Sequence, residues 1–133
     1  MKFMLMMNAP QGDGDWNVSK WTPEDFKAHI DFMARFNKEL RASGELVGAE
    51  GLAMPNEARI VRATKSGAPA VTDGPFAESK EFLAGYWIVD VETPDQAHAI
   101  AARASAAPGQ GGAPMNMPIE VRQVMCGPQP HDM

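Results

Sequence analysis

The chain has 133 residues, a formal net charge of −5 and a hydrophobic content of 44%. This length and composition predict one globular domain with a small core, and the negative charge argues against nucleic acid or an anionic membrane as a partner. No apolar run is long enough for a membrane span, and a single cysteine excludes an internal disulfide, so we expect a cytoplasmic protein.

The first predicted element is a strand over KFMLMM, residues 2–7, which is continuously apolar after Lys2 and stops short of Pro10. Such a run is typical of a strand that is buried on both faces. Residues 8–21 are rich in Gly, Asp and Asn and predict a loop. We expect Trp16 and Trp21 to pack down from this loop onto the domain.

A helix is predicted over residues 22–43, because Thr is a favourable N-cap, Pro23 suits the first turn and Gly44 suits the C-terminal end. At about 100° per residue, five apolar side chains gather on one face of this helix. They are Phe26, Ile30, Met33, Phe36 and Leu40.

The same helical face includes two polar residues, His29 and Asn37. Both are therefore expected to point at the sheet and to need hydrogen-bond partners there, because an unsatisfied buried polar group is costly. Asp25, one turn before His29, and a carboxylate of the DGPF loop, within residues 72–82, are candidate partners of the two ring nitrogens. The alternative is a core histidine that bonds to the backbone and has a structural role.

Three segments in the middle of the chain are predicted to form β-structure. Residues 46–52 predict an irregular strand, since they include two glycines, and residues 58–64 with 70–72 predict an inserted hairpin. LAGYWIVDV, residues 83–91, gives the strongest strand signal, because it is rich in aromatic and β-branched residues.

A second helix is predicted from Thr93, where T-P-D-Q repeats the cap, proline and acid of the first helix and completes a capping box. A Gly- and Pro-rich loop and a closing strand at 118–125 follow. This order predicts an α+β ferredoxin-like sandwich, β-α-β-β-α-β with an inserted hairpin. We expect one domain over residues 1–126 and a C-terminal tail over 127–133.

Two of the predicted strands, at KFMLMM and YWIV, are apolar on both faces. Both helices cover the same face of the sheet, and the second apolar face must be covered as well. A second copy of the sheet is the simplest cover, so we expect a homodimer joined through the sheet faces.

The segment TDGPFAESKEF, residues 72–82, joins the hairpin to the strongest strand. It is either a connector with solvated charges or the edge of a cleft, since convergent charges on a loop are common at functional sites. Its charged residues are Asp73, Glu78, Lys80 and Glu81.

This segment resembles the signature of the DGPF branch of the YCII-related proteins, and FNKELRASGELVGAEGL, GYWIVDV and PIEVRQV follow the same family order. The resemblance implies a ferredoxin-like fold assembled as a dimeric α+β barrel. It also implies a His–Asp dyad with the His on the inner face of the first helix. Counted from Gly44, that position holds Met33 in this chain, and His29 lies one turn earlier.

Two hypotheses of function remain open. Relatives in the wider barrel group include lyases, isomerases and dehalogenating enzymes, which favours binding or acid–base conversion of a small metabolite in a cleft beside the first helix. His29 and Asp73 would then be the catalytic pair, because histidine exchanges protons near neutral pH. The substrate would be bound by Asn37, Glu78, Lys80 and Glu81, with Lys80 attracting an anion.

The alternative hypothesis is a non-catalytic protein–protein regulatory module, because some DGPF proteins resemble companions of alternative sigma factors. In either case no metal and no cofactor is expected. The sequence has no phosphate-binding glycine loop, no paired metal-ligand motif and no nucleophile elbow.

Overall fold

The computed structural model describes residues 1–10, 20–74 and 81–125. Its helices and strands are, in chain order, β1 (Lys2–Pro10), α1 (Pro23–Ala42), β2 (Leu46–Gly51), β3 (Arg59–Arg62), β4 (Ala70–Asp73), β5 (Glu81–Asp90), α2 (Pro94–Ser105) and β6 (Ile119–Gln123). The predicted order of elements is confirmed. The first strand is longer than expected, since it continues to Pro10. The predicted boundary at residue 126 lies outside the described residues.

The main sheet has four strands in the order β2–β5–β1–β6, and every neighbouring pair is antiparallel. The two apolar segments of the sequence, β1 and β5, therefore lie at the centre, and each is followed by a helix and an edge strand. This is an α+β fold in the ferredoxin-like order. Within the described ranges, no helix has both the length and the apolar character that a bilayer span requires.

The core lies between one face of this sheet and the two helices. Leu5 of β1 is opposite Trp87 of β5, and both side chains are buried. The helices complete the core with Phe36, Leu40, Ala97, Ile100, Ala101 and Ala104. The small side chains of α2 allow its backbone to pack close to the strands.

Both helices begin as the sequence predicts. Thr22 and Asp25 form a reciprocal capping box at α1, and Thr93 and Gln96 form one at α2. The end of α1 is also as predicted, because Gly44 follows it with a φ of 80°, a conformation that favours glycine.

The predicted core face of α1 is partly wrong. Ile30 is 63% exposed and Phe26 is 41% exposed, whereas Phe36 and Leu40 are almost fully buried. The face that meets the sheet is centred near Phe36, and Ile30 lies about 120° around the helix from it. Phe26 packs instead against Trp21, with ring centroids 5.1 Å apart. Trp21 thus packs as expected, while Trp16 lies outside the described residues.

The inserted hairpin is confirmed as a separate two-stranded sheet of β3 and β4. One of its two central cross-strand pairs is Val61 and Val71, which are 60% and 55% exposed. The N–H of Gly74 donates to the carbonyl of Ala58 and closes the base of the hairpin.

Candidate functional site

A cavity of about 210 Å³ lies between α1 and the part of the sheet where β1, β5 and β2 meet. Three residues spaced one turn apart on α1 form its helical wall, namely His29, Met33 and Asn37. The sheet side is formed by Met7, Ala49, Glu50, Gly51, Gly85, Tyr86 and Trp87.

The cavity exists because small residues occupy the sheet beneath α1. Gly85 lies two residues before Trp87 on β5, so a side chain there would point to the helix side of the sheet. Instead the strands approach closely at this point, and a Cβ on Gly85 would lie 2.9 Å from the carbonyl oxygen of Glu50. The missing side chain leaves the space beneath the helix open.

His29 is half-buried at one end of the cavity, and its Nδ1 lies 3.0 Å from the carbonyl oxygen of Pro108. A carbonyl oxygen can only accept, so Nδ1 carries the proton of this hydrogen bond. In the part of the chain that the structure describes, no group bonds Nε2. The Trp21 ring meets the imidazole edge-on at 5.4 Å between centroids and limits its rotation.

Of the candidate partners, His29 takes the backbone one, since its Nδ1 bonds the Pro108 carbonyl, and Asp25 bonds other groups. Oδ2 accepts from the backbone N–H of Thr22 at 3.0 Å, and Oδ1 accepts from the N–H of Gly111 at 3.2 Å. The Thr22 N–H lowers the pKa of Asp25 below its ordinary value; burial opposes this shift and the Gly111 N–H adds to it.

The loop between α2 and β6 is therefore part of the site, which the sequence did not indicate. It is tied to the first turns of α1 by the bonds of Asp25 and His29, and Trp21 packs over Gly109. A Cβ on Gly109 would lie 3.3 Å from Trp21 and 2.7 Å from Met115, so this position requires glycine. The glycines of the loop were the available signal, because a loop glycine often marks close backbone approach.

At the other end of the cavity, the indole Nε1 of Trp87 donates a 2.8 Å hydrogen bond to Oδ1 of Asn37. Sequence analysis identified Asn37 but did not identify its partner. A buried tryptophan needs an acceptor for its N–H, and Asn37 was the polar residue expected on the facing helix.

Of the four predicted residues around the DGPF motif, the two that the structure describes, Asp73 and Glu81, do not line the His29 cavity. Asp73 ends β4 with its side chain 95% exposed, and its Oδ1 is 3.7 Å from Nε of Arg59. Glu81 begins β5 and lines a second cavity of about 410 Å³, next to Leu52 and Met54. Glu78 and Lys80 lie outside the described residues. The catalytic role of Asp73 stays a prediction.

The electrostatic character of the His29 cavity is close to neutral. The described lining includes no lysine or arginine, and the side chain of its acidic residue, Glu50, points to the opposite face of the sheet because it alternates with Ala49 along β2. Among the described residues, no three His, Cys, Asp or Glu side chains are grouped so that they could hold a metal ion.

The model of the YCII-related domain matches residues 1–114. The chain belongs to the YCII-related family. An uncharacterized protein of Rhizobium meliloti (strain 1021) is 29% identical over 80 residues, which are 60% of this chain and 64% of that relative. The matched stretch thus spans less than two thirds of the relative's length.

Every described residue that lines the cavity of this YCII-related protein falls inside the matched range. So do Asp25, Pro108 and Gly111, which position the helix and the imidazole. The cavity therefore lies within the part of the chain that matches the YCII-related domain, whereas β6 lies beyond the match.

Proposed function

We propose that this YCII-related protein binds a small organic molecule in the cavity beneath α1 and that His29 exchanges a proton with it. The observation that carries this proposal is the bond from His29 Nδ1 to the Pro108 carbonyl. It fixes the tautomer of a neutral imidazole and leaves Nε2 as an acceptor beside an open, partly apolar space.

The chemistry that this arrangement supports is metal-free general acid–base catalysis, of the kind that isomerases and lyases use. A neutral imidazole with a proton on Nδ1 accepts a proton at Nε2 and becomes a cation. The Pro108 carbonyl stabilises that cation, because its dipole faces the Nδ1–H throughout the transfer. The pairing of His29 with Asp73 in the sequence hypothesis is not needed for this step.

The ligand supported best is uncharged. The described lining includes no lysine or arginine that would attract an anion, and the Glu50 side chain points to the opposite face of the sheet. The earlier hypothesis of an anionic substrate depends on Lys80 reaching the cavity. A neutral ligand requires no such contribution.

The DGPF segment supports membership of the DGPF branch within the family, and the apolar outer face of the sheet supports a homodimeric barrel. In that assembly the His29 cavity lies on the helix side of the sheet, away from the proposed dimer face. One chain therefore contains every described residue of the cavity.

A thermal-shift screen against a library of small neutral and anionic metabolites tests the proposal. Neutral ligands are expected to raise the melting temperature, and His29→Asn is expected to abolish turnover of a reactive hit while keeping an N–H near Pro108. His98→Asn is the matched control, because His98 on α2 has a side chain that is 62% exposed.

Two results would contradict the proposal: a library without a stabilising ligand, or turnover that is the same in His29→Asn as in the unmodified protein. The regulatory alternative predicts a library without a stabilising ligand. It also predicts a protein partner that binds the unmodified protein and the cavity variants with the same affinity.

A further inference from the structure

We infer that the cavity selects a neutral molecule with a hydroxyl-type donor at one end and a carbonyl-type acceptor at the other. This inference rests on the proposed function and specifies its substrate class. It follows from two polar side chains of α1 that line the cavity, His29 and Asn37. Each has a hydrogen-bond partner that can only donate or only accept, and this partner fixes which ring or amide atom is left for a ligand.

Trp87 fixes the orientation of the Asn37 side-chain amide. An indole N–H can donate but cannot accept, so the atom of the amide that faces it must be the oxygen. The Nε1 to Oδ1 distance of 2.8 Å is that of a well-formed bond, and Trp87 is only 4% exposed. The amide therefore cannot turn over without leaving the indole N–H unsatisfied, at a cost that disfavours the flip.

With Oδ1 held by the indole, the Nδ2 amino group is the part of Asn37 that is available to a ligand. Within the described ranges, no acceptor bonds Nδ2. Nδ2 has two N–H donors and no accepting capacity. This end of the cavity therefore selects for a carbonyl or ether oxygen and against a group that can only donate.

His29 offers a ligand the opposite hydrogen-bonding role, an acceptor. The Pro108 carbonyl can only accept, so the proton of the neutral ring is on Nδ1 and Nε2 accepts. This end of the cavity therefore selects for a hydroxyl or another group that donates a proton.

The two ends are well separated. His29 and Asn37 are eight residues apart on α1, which is about 12 Å of helix axis at about 1.5 Å per residue. Met33 lies between them, and Met7 faces it from β1. A ligand that reaches both ends is elongated, and its middle part is apolar where it lies against the two thioethers.

Three simple compounds separate the two ends. 4-Hydroxyacetophenone has a hydroxyl and a ketone at opposite ends of an apolar ring, 4-ethylphenol has only the hydroxyl, and acetophenone has only the ketone. We expect 4-hydroxyacetophenone to bind about tenfold more tightly than either single-group compound at neutral pH, measured as Kd by NMR titration.

Asn37→Asp is the decisive variant, because a carboxylate keeps an oxygen for the Trp87 indole and replaces the amino group with a second oxygen. It is expected to weaken acetophenone and 4-hydroxyacetophenone about tenfold and to leave 4-ethylphenol unchanged. His29→Asn is the reciprocal variant and is expected to weaken the two phenols but not acetophenone. Circular dichroism melting of each variant establishes that the fold is kept.

Should Asn37→Asp fail to fold, the reciprocal variant and the ranking of the three compounds on the unmodified protein still decide the matter. Equal Kd values for the three compounds, or equal loss of all three in either folded variant, would overturn the donor–acceptor assignment while leaving the cavity a small-molecule site. If none of the three compounds binds, this inference fails, and the metabolite screen decides separately whether the proposed function stands.

Discussion

Nδ1 of His29 lies 3.0 Å from the carbonyl oxygen of Pro108, so the imidazole on α1 is oriented by the backbone of a distant loop. The second tie between these elements, from Gly111 to Asp25, lies one helical turn nearer the start of α1. The loop therefore fixes both the start of the helix and the tautomer of its histidine. Stability and ligand binding at this end of the cavity should respond to the same contacts.

The first prediction concerns the stability of His29 variants. His29→Gln loses the donor at Nδ1 and should lower the free energy of unfolding by about 0.5–1.5 kcal/mol, since the Pro108 carbonyl loses its partner. His29→Asn should cost less, because its amide N–H lies near the former Nδ1 position. Urea unfolding measures both, and the exposed His98→Gln serves as the control. Equal losses in the two His29 variants would show that the bond to Pro108 contributes nothing.

The second prediction concerns pH. The pKa of Asp25 is lowered in the folded state, chiefly by the Thr22 N–H, so its carboxylate contributes stability above its unfolded pKa of about 4. That contribution is lost as the pH falls through the lower, folded pKa. Asp25→Asn should therefore be less stable than the unmodified protein at pH 7, and the difference should shrink as the pH falls below about 4.

Urea unfolding at a series of pH values from neutral to acid measures this difference. Glu24→Gln is the matched control, because Glu24 is an exposed acid in the same helical turn. A difference between Asp25→Asn and the unmodified protein that stays constant or widens toward acid would contradict the prediction.

The fold was predictable from the sequence because its signals are local. The capping boxes at Thr22 and Thr93 and the glycine at Gly44 each lie within a few residues of the helix end that they determine. The period of the apolar residues identified α1 as amphipathic but did not fix which direction faces the sheet. Ile30 was therefore placed in the core, where only contact with the strands could have excluded it.

The partners in the cavity were not predictable, because they join residues that are distant in the chain. His29 and Pro108 are 79 residues apart, and Asn37 and Trp87 are 50 apart. Periodicity within one element carries no information about such pairs. The need of each polar group for a partner was evident, and a backbone partner for His29 was among the alternatives, but nothing in the sequence indicated that Pro108 supplies it.

The third prediction concerns the close approach of β2 and β5. A Cβ on Gly85 would lie 2.9 Å from the backbone oxygen of Glu50, which cannot move without separating the strands. Gly85→Ala should lower the free energy of unfolding by about 1–3 kcal/mol. At Gly48, in the same pair of strands, a Cβ would meet no atom within 4 Å, so Gly48→Ala is the matched control. Thermal or urea unfolding compares them, and a Gly85→Ala protein as stable as Gly48→Ala would be inconsistent with this close contact.

The final prediction concerns the outer face of the sheet. Phe3 and Leu5 belong to the core beneath the helices, so Met4 and Met6 point to the opposite face, since side chains alternate along a strand. Ile88 is opposite Met4 and Tyr86 is opposite Met6 on β5. These four side chains form an apolar centre that no described helix covers.

Polar residues of the edge strands surround this centre, as is usual for the rim of a protein–protein interface. Glu120 lies opposite Met6, Arg122 lies opposite Met4 and Glu50 lies opposite Tyr86. An apolar centre within a charged rim supports the proposal that a second copy packs on this face. In a dimer that buries this apolar centre, a carboxylate introduced there would have a high cost in free energy.

Ile88→Glu is therefore expected to convert the proposed homodimer to a monomer, whereas the isolated chain should tolerate the substitution because Ile88 lies on an open face there. Val61→Glu is the control, because Val61 is 60% exposed on the hairpin, away from the sheet. Light scattering at micromolar concentration should give the mass of two chains for the unmodified protein and for Val61→Glu, and of one chain for Ile88→Glu. A monomeric unmodified protein would refute the dimer. A protein that stays dimeric with Ile88→Glu would show that the dimer interface lies on another surface.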